Sequence, residues 1–96
     1  MNIRYTATAR AEADEIFKHI ARDNTVAAAA VAAAIRDAIE RLAVFPRIGA
    51  ATNDPKVFTM IARPYHYLIF YSIERDTVII RRVRHPARQR PASEPS

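Results

Sequence analysis

The chain has no cysteine, no tryptophan and a single glycine, and no apolar stretch nears the roughly 18 residues that cross a bilayer. Without cysteine there is no disulfide framework, no thiolate nucleophile and no thiolate metal site. His19 and His66 have no acidic motif beside them at ligand spacing, so neither a metal nor a cofactor is expected. The opening Met1-Asn2-Ile3-Arg4 lacks the apolar centre of a signal peptide. These absences point to a cytoplasmic protein with no membrane partner. At 96 residues the chain makes one domain, with a modest core that buries roughly 65% of the unfolded surface.

What the chain does have is arginine, unevenly placed. Residues 1–45 carry six basic and six acidic groups, whereas residues 46–96 carry nine basic and four acidic, so the net +5 comes wholly from the second part. Arginine supplies 13 of the 15 basic residues, a bias that a GC-rich coding sequence would explain. Such a bias does not explain the clustering, which points to an acidic partner for the C-terminal half.

Residues 2–6 alternate as a half-buried strand, with Ile3 and Tyr5 on one side. Thr8 is placed to cap a helix whose buried stripe is Ala13, Ile16, Phe17, Ile20 and Ala21, at helical spacing. Arg22-Asp23-Asn24-Thr25 interrupts that period, and Asn24 or Thr25 caps a second helix over about 26–44. Seven of the eight residues from Ala27 to Ala34 are alanine, so this half is helical by propensity alone. Its stripe is Ala28, Val31, Ile35, Ala38, Ile39 and Leu42, and Asp37 with Arg41 has the spacing of a helical ion pair. Residues 46–55 read as a loop in which Gly49 marks a special backbone conformation.

Residues 56–62 read as a strand and Arg63-Pro64 as a break. The runs 65–73 and 77–84, joined at Glu74-Arg75-Asp76, read as a hairpin. The resulting order, β-α-α-β-β-β, gives a two-layer α+β domain in which a helical hairpin packs on a small antiparallel sheet. The first strand joins at an edge or beside the last. Residues 1–89 form this domain, and the polar stretch 90–96, with nothing to bury, is expected to be a disordered tail. The hairpin runs out into Arg81, Arg82, Arg84, His85 and Arg88, a rigid platform of donors aimed at an anionic surface.

Three segments, P-R-I-G after the second helix, R-P-Y-H-Y-L-I-F-Y and R-V-R-H-P-A-R, taken with the element order, resemble the RelE/ParE superfamily of bacterial type II toxins. The resemblance runs from about Ile3 to Gln89, and the hairpin ending in His-x-x-Arg is more similar to the ParE branch and its plasmid-stabilisation relatives. It implies a toxin held as a hetero-oligomer with a cognate antitoxin protein. It also implies one of two activities: poisoning of DNA gyrase, as in ParE-like members, or cleavage of mRNA on the ribosome, as in RelE-like members. The shared fold does not choose between them.

Cleavage by a ribose 2′-hydroxyl needs a base, an acid and cations on the phosphate. If the chain is a nuclease, His85 is the proton carrier and Arg63, Arg81 and Arg84 are the cations. Against this, Pro86 follows His85, no tyrosine comes after Tyr71, and Lys56 is the only lysine beyond Lys18, so the acid–base set is incomplete. The reading adopted assigns no catalytic residue and gives Arg82, Arg84, His85 and Arg88 to target binding. Each has a structural alternative: closing the sheet end for His85, an ion pair with Glu74 or Asp76 for Arg84 or Arg88, and a pair with the antitoxin for Arg82 or Arg63. The aromatic run Tyr65, Tyr67, Phe70 and Tyr71 is assigned to packing rather than base stacking. Alternation puts Tyr65, Tyr67, Ile69 and Tyr71 on one face. A small basic nucleic-acid-binding module ranks last, because the helices are charge-balanced and offer no recognition helix.

Overall fold

The computed structural model describes residues 1–86. Arg88 and the expected tail lie outside them. Strand β1 (Asn2–Tyr5) leads into helix α1 (Ala7–Ala21) and helix α2 (Thr25–Val44). Strands β2 (Ala50–Ala51), β3 (Phe58–Ala62), β4 (Tyr67–Glu74) and β5 (Thr77–Arg84) follow. The sheet order is β1-β5-β4-β3-β2, with β1 parallel to β5 and the other neighbours antiparallel. The expected α+β architecture and meander are therefore present, and β1 is both at an edge and beside the last strand. Two details differ. The parallel β1 makes the sheet mixed, which the long connection through both helices permits. A two-residue strand, β2, pairs with β3 in a segment whose alanines carry no strand signal.

Helix α2 matches its periodicity residue for residue, and all six stripe positions are buried. Asn24 is its cap, the Oδ1 accepting the Ala27 amide at 2.9 Å. Helix α1 begins two residues earlier than expected. Thr6, not Thr8, is the cap: its Oγ1 accepts the Ala9 amide at 3.0 Å and donates to the Arg81 carbonyl at 3.0 Å. Ile16 and Ile20 pack against the core while Phe17 stays exposed, so the stripe of α1 is only partly covered. Among the described residues the ion pairs are Lys18–Asp14 and Arg82–Glu12, and the expected Asp37–Arg41 pair is not formed.

Between helices and sheet, Val31, Ile35, Ile39 and Leu42 meet Tyr67, Ile69, Tyr71, Val78, Ile80 and Val83. Tyr65 does not share this face. A turn at residues 63–66, closed by the His66 amide on the Ala62 carbonyl at 2.9 Å, delays the strand to Tyr67. His66 takes φ 64° there, and Arg75 takes φ 57° in the two-residue hairpin turn. The left-handed backbone thus falls on non-glycine residues, and Gly49 has no positive φ. Its role is space. A Cβ at Gly49 would lie 2.8 Å from the Thr59 carbonyl oxygen and from Tyr71 Cε1. The fully buried Tyr71 donates its hydroxyl proton to the Pro46 carbonyl at 2.9 Å and accepts the Gly49 amide at 3.0 Å. Burial pushes the phenol above its ordinary 10.0, against the Gly49 amide and Arg47, so it remains a neutral donor. This contact binds the P-R-I-G loop to the middle of β4.

Strand β5 contains one residue too many for regular pairing. Tyr71 faces Ile80 and Phe70 faces Arg82, which leaves Arg81 with no partner on β4. Such a bulge bends and twists the strand. It also lets Ile80 and Val83, three residues apart, both enter the core while Arg81 and Arg82 are both exposed.

Candidate functional site

Pairing with β1 covers Thr77 to Ile80 and then ends. Beyond it, the outer edge of β5 is served by side chains. The Thr6 hydroxyl takes the Arg81 carbonyl. Glu12, from α1, accepts the Val83 amide at 2.9 Å through Oε1. The same carboxylate grips Arg82: Nη2 donates to Oε2 at 2.6 Å, and Nε reaches both oxygens at 3.0 and 3.1 Å. Partial burial alone would raise the Glu12 pKa. The hydrogen bonds from Arg82 and Val83, with the charges of Arg82 and Arg84, outweigh it and hold the carboxyl below its ordinary 4.5. The Glu12 hydrogen bond, opposed by burial, raises the Arg82 pKa in turn.

Arg84 and His85 follow directly. They line a cleft of about 470 Å³ between α1 and the end of the sheet. Its floor is apolar, from Ile16, Ile20, Tyr67 and Val83, and its rim on α1 carries Glu15, His19 and Arg22. His85 is half-buried and stands edge-on to Tyr67, with ring centroids 5.2 Å apart and planes at 87°. Burial raises the Tyr67 phenol above 10.0. Across the cleft Arg22 Nη2 sits 3.5 Å from His19 Nδ1.

Of the residues singled out from sequence, the structure brings Arg84 and His85 into one cleft. Arg82 is exposed but held by Glu12, a partner 70 residues away. Arg81 lies apart, its Nη1 3.4 Å from Ser72 Oγ, and does not line the cleft. Arg63 is exposed in the turn before β4 and does not line it either. Arg88 is outside the described residues. Sequence reasoning missed Glu12, His19 and Arg22. The spacing of Glu12, Ile16 and His19 at i, i+4 and i+7 puts them on one helical face, but that pattern alone does not say what the face meets.

A second recess, about 210 Å³, lies where α1 and α2 meet the sheet. It is mainly apolar, lined by Tyr5, Phe17, Val31, Ile35 and Ile39, with Arg36 at its border. No helix among the described residues is long and apolar enough to cross a membrane, and no group of three or more metal-ligating side chains occurs among them.

The chain is similar to known proteins over nearly its whole length. The family described as "ParE toxin of type II toxin-antitoxin system, parDE" matches residues 3–90. The protein named "Putative toxin Y4kP" of Sinorhizobium fredii is 35% identical over 89 residues, covering 93% of this chain and 92% of that one. A solved structure described as "Chromosomal ParDE TA system from P. aeruginosa" superposes with a TM-score of 0.71 over 88% of this chain and 95% of that one. At 18% identity it speaks for the fold alone. The two sequence matches go further, one spanning residues 3–90 and the other 93% of the chain: this chain belongs to the ParE family of type II toxin–antitoxin toxins.

Proposed function

We propose that this ParE-family toxin arrests growth in the cytoplasm by binding and poisoning DNA gyrase through the end of β5, and that a cognate antitoxin, in a hetero-oligomer with it, neutralises it. On this reading the system maintains the replicon that carries it. Arg84, His85 and Arg88 contact the target, while Arg82 is occupied with Glu12 and contributes its charge at a distance.

The observation that carries this reading is the dispersal of the nuclease set. Phosphodiester cleavage needs its proton carrier and its cations around one phosphate. His85 and Arg84 share a cleft, but Arg63 and Arg81 do not line it. A rigid basic strand end suits docking better than chemistry. The antitoxin reading draws on the recess between the helices and sheet, whose apolar lining beside an arginine-rich half suits an acidic, partly helical segment with apolar anchors.

Purified toxin should inhibit supercoiling or trap cleaved DNA in a reaction containing gyrase and no ribosome, and Arg84→Ala with Arg88→Ala should abolish this. His85→Gln retains a hydrogen-bonding group without proton transfer, so it should spare most of the effect. Intact gyrase activity, together with cuts in ribosome-bound message that vanish in His85→Gln, would replace this reading with the ribosome-dependent nuclease.

A further inference from the structure

We propose that Glu12 is a positioning residue: its carboxylate takes the place of the strand that β1 does not provide beyond Ile80, and thereby sets where Arg84 and His85 point. This rests on the reading of the β5 end as the surface that meets the target.

Three observations lead to it. First, the strand on the outer side of β5 stops at the Tyr5–Ile80 pair, four residues before β5 ends. Backbone groups beyond that point need partners or water. Second, one carboxylate serves two consecutive residues, the main chain of Val83 and the side chain of Arg82. That fixes both the path of the strand and the roll of its outer face. Third, the bulge at Arg81 lies between the two halves of β5, so the half zipped to β1 does not by itself dictate the direction of the last residues, which are paired to β4 alone. The anchor is firm on its own side: Glu12 lies within two turns of the Thr6 cap, and Thr6 also bonds to β5. Arg84 and His85 follow the fixed pair without an intervening loop.

A mere tie between helix and sheet would make a different prediction. Its loss would lower stability throughout, and activity would follow stability. A positioning role is local. In Glu12→Ala, amide exchange at Val83 should accelerate at least about tenfold while the amides of Ile69 and Ile80 stay as they are. Growth arrest by induced toxin should weaken by at least about tenfold while the melting temperature falls by only a few degrees, the pattern expected when a correctly folded contact surface is misaimed. Glu12→Gln keeps an acceptor for the Val83 amide and for Arg82, so it should recover most of both losses. It also serves if the alanine variant does not fold.

The proposal is overturned if Glu12→Ala arrests growth as the wild type does, if all amides accelerate together, or if Glu12→Gln behaves as the alanine variant. Growth arrest does not depend on which target is hit. A wild-type toxin that arrests growth without touching gyrase therefore ends the gyrase reading and leaves the Glu12 comparison intact. Full arrest by Arg84→Ala combined with His85→Ala would remove the surface that Glu12 is said to aim, and the proposal with it.

Discussion

The two halves of β5 are held by different means. From Thr77 to Ile80 the strand is zipped on both sides by backbone, with β1 on one edge and β4 on the other. Val78, Ile79 and Ile80 are buried there. From Arg82 to Arg84 only β4 pairs with it, and from Arg81 onward the other edge is held by the hydroxyl of Thr6 and the carboxylate of Glu12. Backbone pairing hardly depends on side-chain identity, so the first half tolerates any sequence that fills the core. The second half depends on single residues. A strand end held this way can carry a basic surface without burying it, and one substitution can redirect it.

The largest effect on stability should come from the zipped half. Ile80 is fully buried, so Ile80→Ala should cost about 3 kcal/mol in urea unfolding. A cost below about 1 kcal/mol would mean that this half is not the anchor of the sheet. Gly49→Ala sharpens the contrast, because the Tyr71 contact is a side-chain clasp set inside the core. The added methyl meets a backbone carbonyl that has little room to move, and about 2 kcal/mol should be lost. A neutral result would show that the P-R-I-G loop shifts freely.

Acid acts on the second half. Because the folded Glu12 pKa lies below the ordinary 4.5, its stabilisation is fully present above that value and drains away as pH falls through the lower, folded one. The pair is open to solvent on the Arg82 side, so no more than about 1 kcal/mol is at stake, and salt should reduce it. Glu12→Gln should flatten that part of the stability–pH curve; an unchanged slope between wild type and variant would argue against the assignment. The smallest effect on stability belongs to Arg84→Ala, within about 0.5 kcal/mol, alongside a marked loss of growth arrest. A large fall in melting temperature would instead make Arg84 part of the framework.

Much of the zipped region was legible in the sequence. The stripe of α2 is periodic and amphipathic, and burial follows it at every position from Ala28 to Leu42. The hairpin strands could be read from their β-branched and aromatic content, although Glu74 belongs to β4 and the left-handed turn residue is Arg75. What failed were features decided by tertiary contact. Thr6 displaced Thr8 as a cap because it also bonds to β5, 75 residues away. Gly49 answers to the hydroxyl of Tyr71 rather than to its own backbone. The arginine cluster was visible as composition, yet nothing local in R-R-V-R says that Arg82 is held by α1 while Arg84 opens onto a cleft. That sorting is made by Glu12, and a helical acid gives no sign of which strand lies beneath it.

The extra residue in β5 has a practical use in reading other chains. A strand that alternates cannot send two apolar side chains inward at a spacing of three, as Ile80 and Val83 are sent here. Where a closing hairpin strand reads apolar-x-x-apolar with basic residues between, an inserted residue can be placed without coordinates. The positions that follow it can then be singled out for mutagenesis first. In this chain the rule would have placed the insertion at Arg81 or Arg82 and pointed to Arg84 and His85 as the first targets.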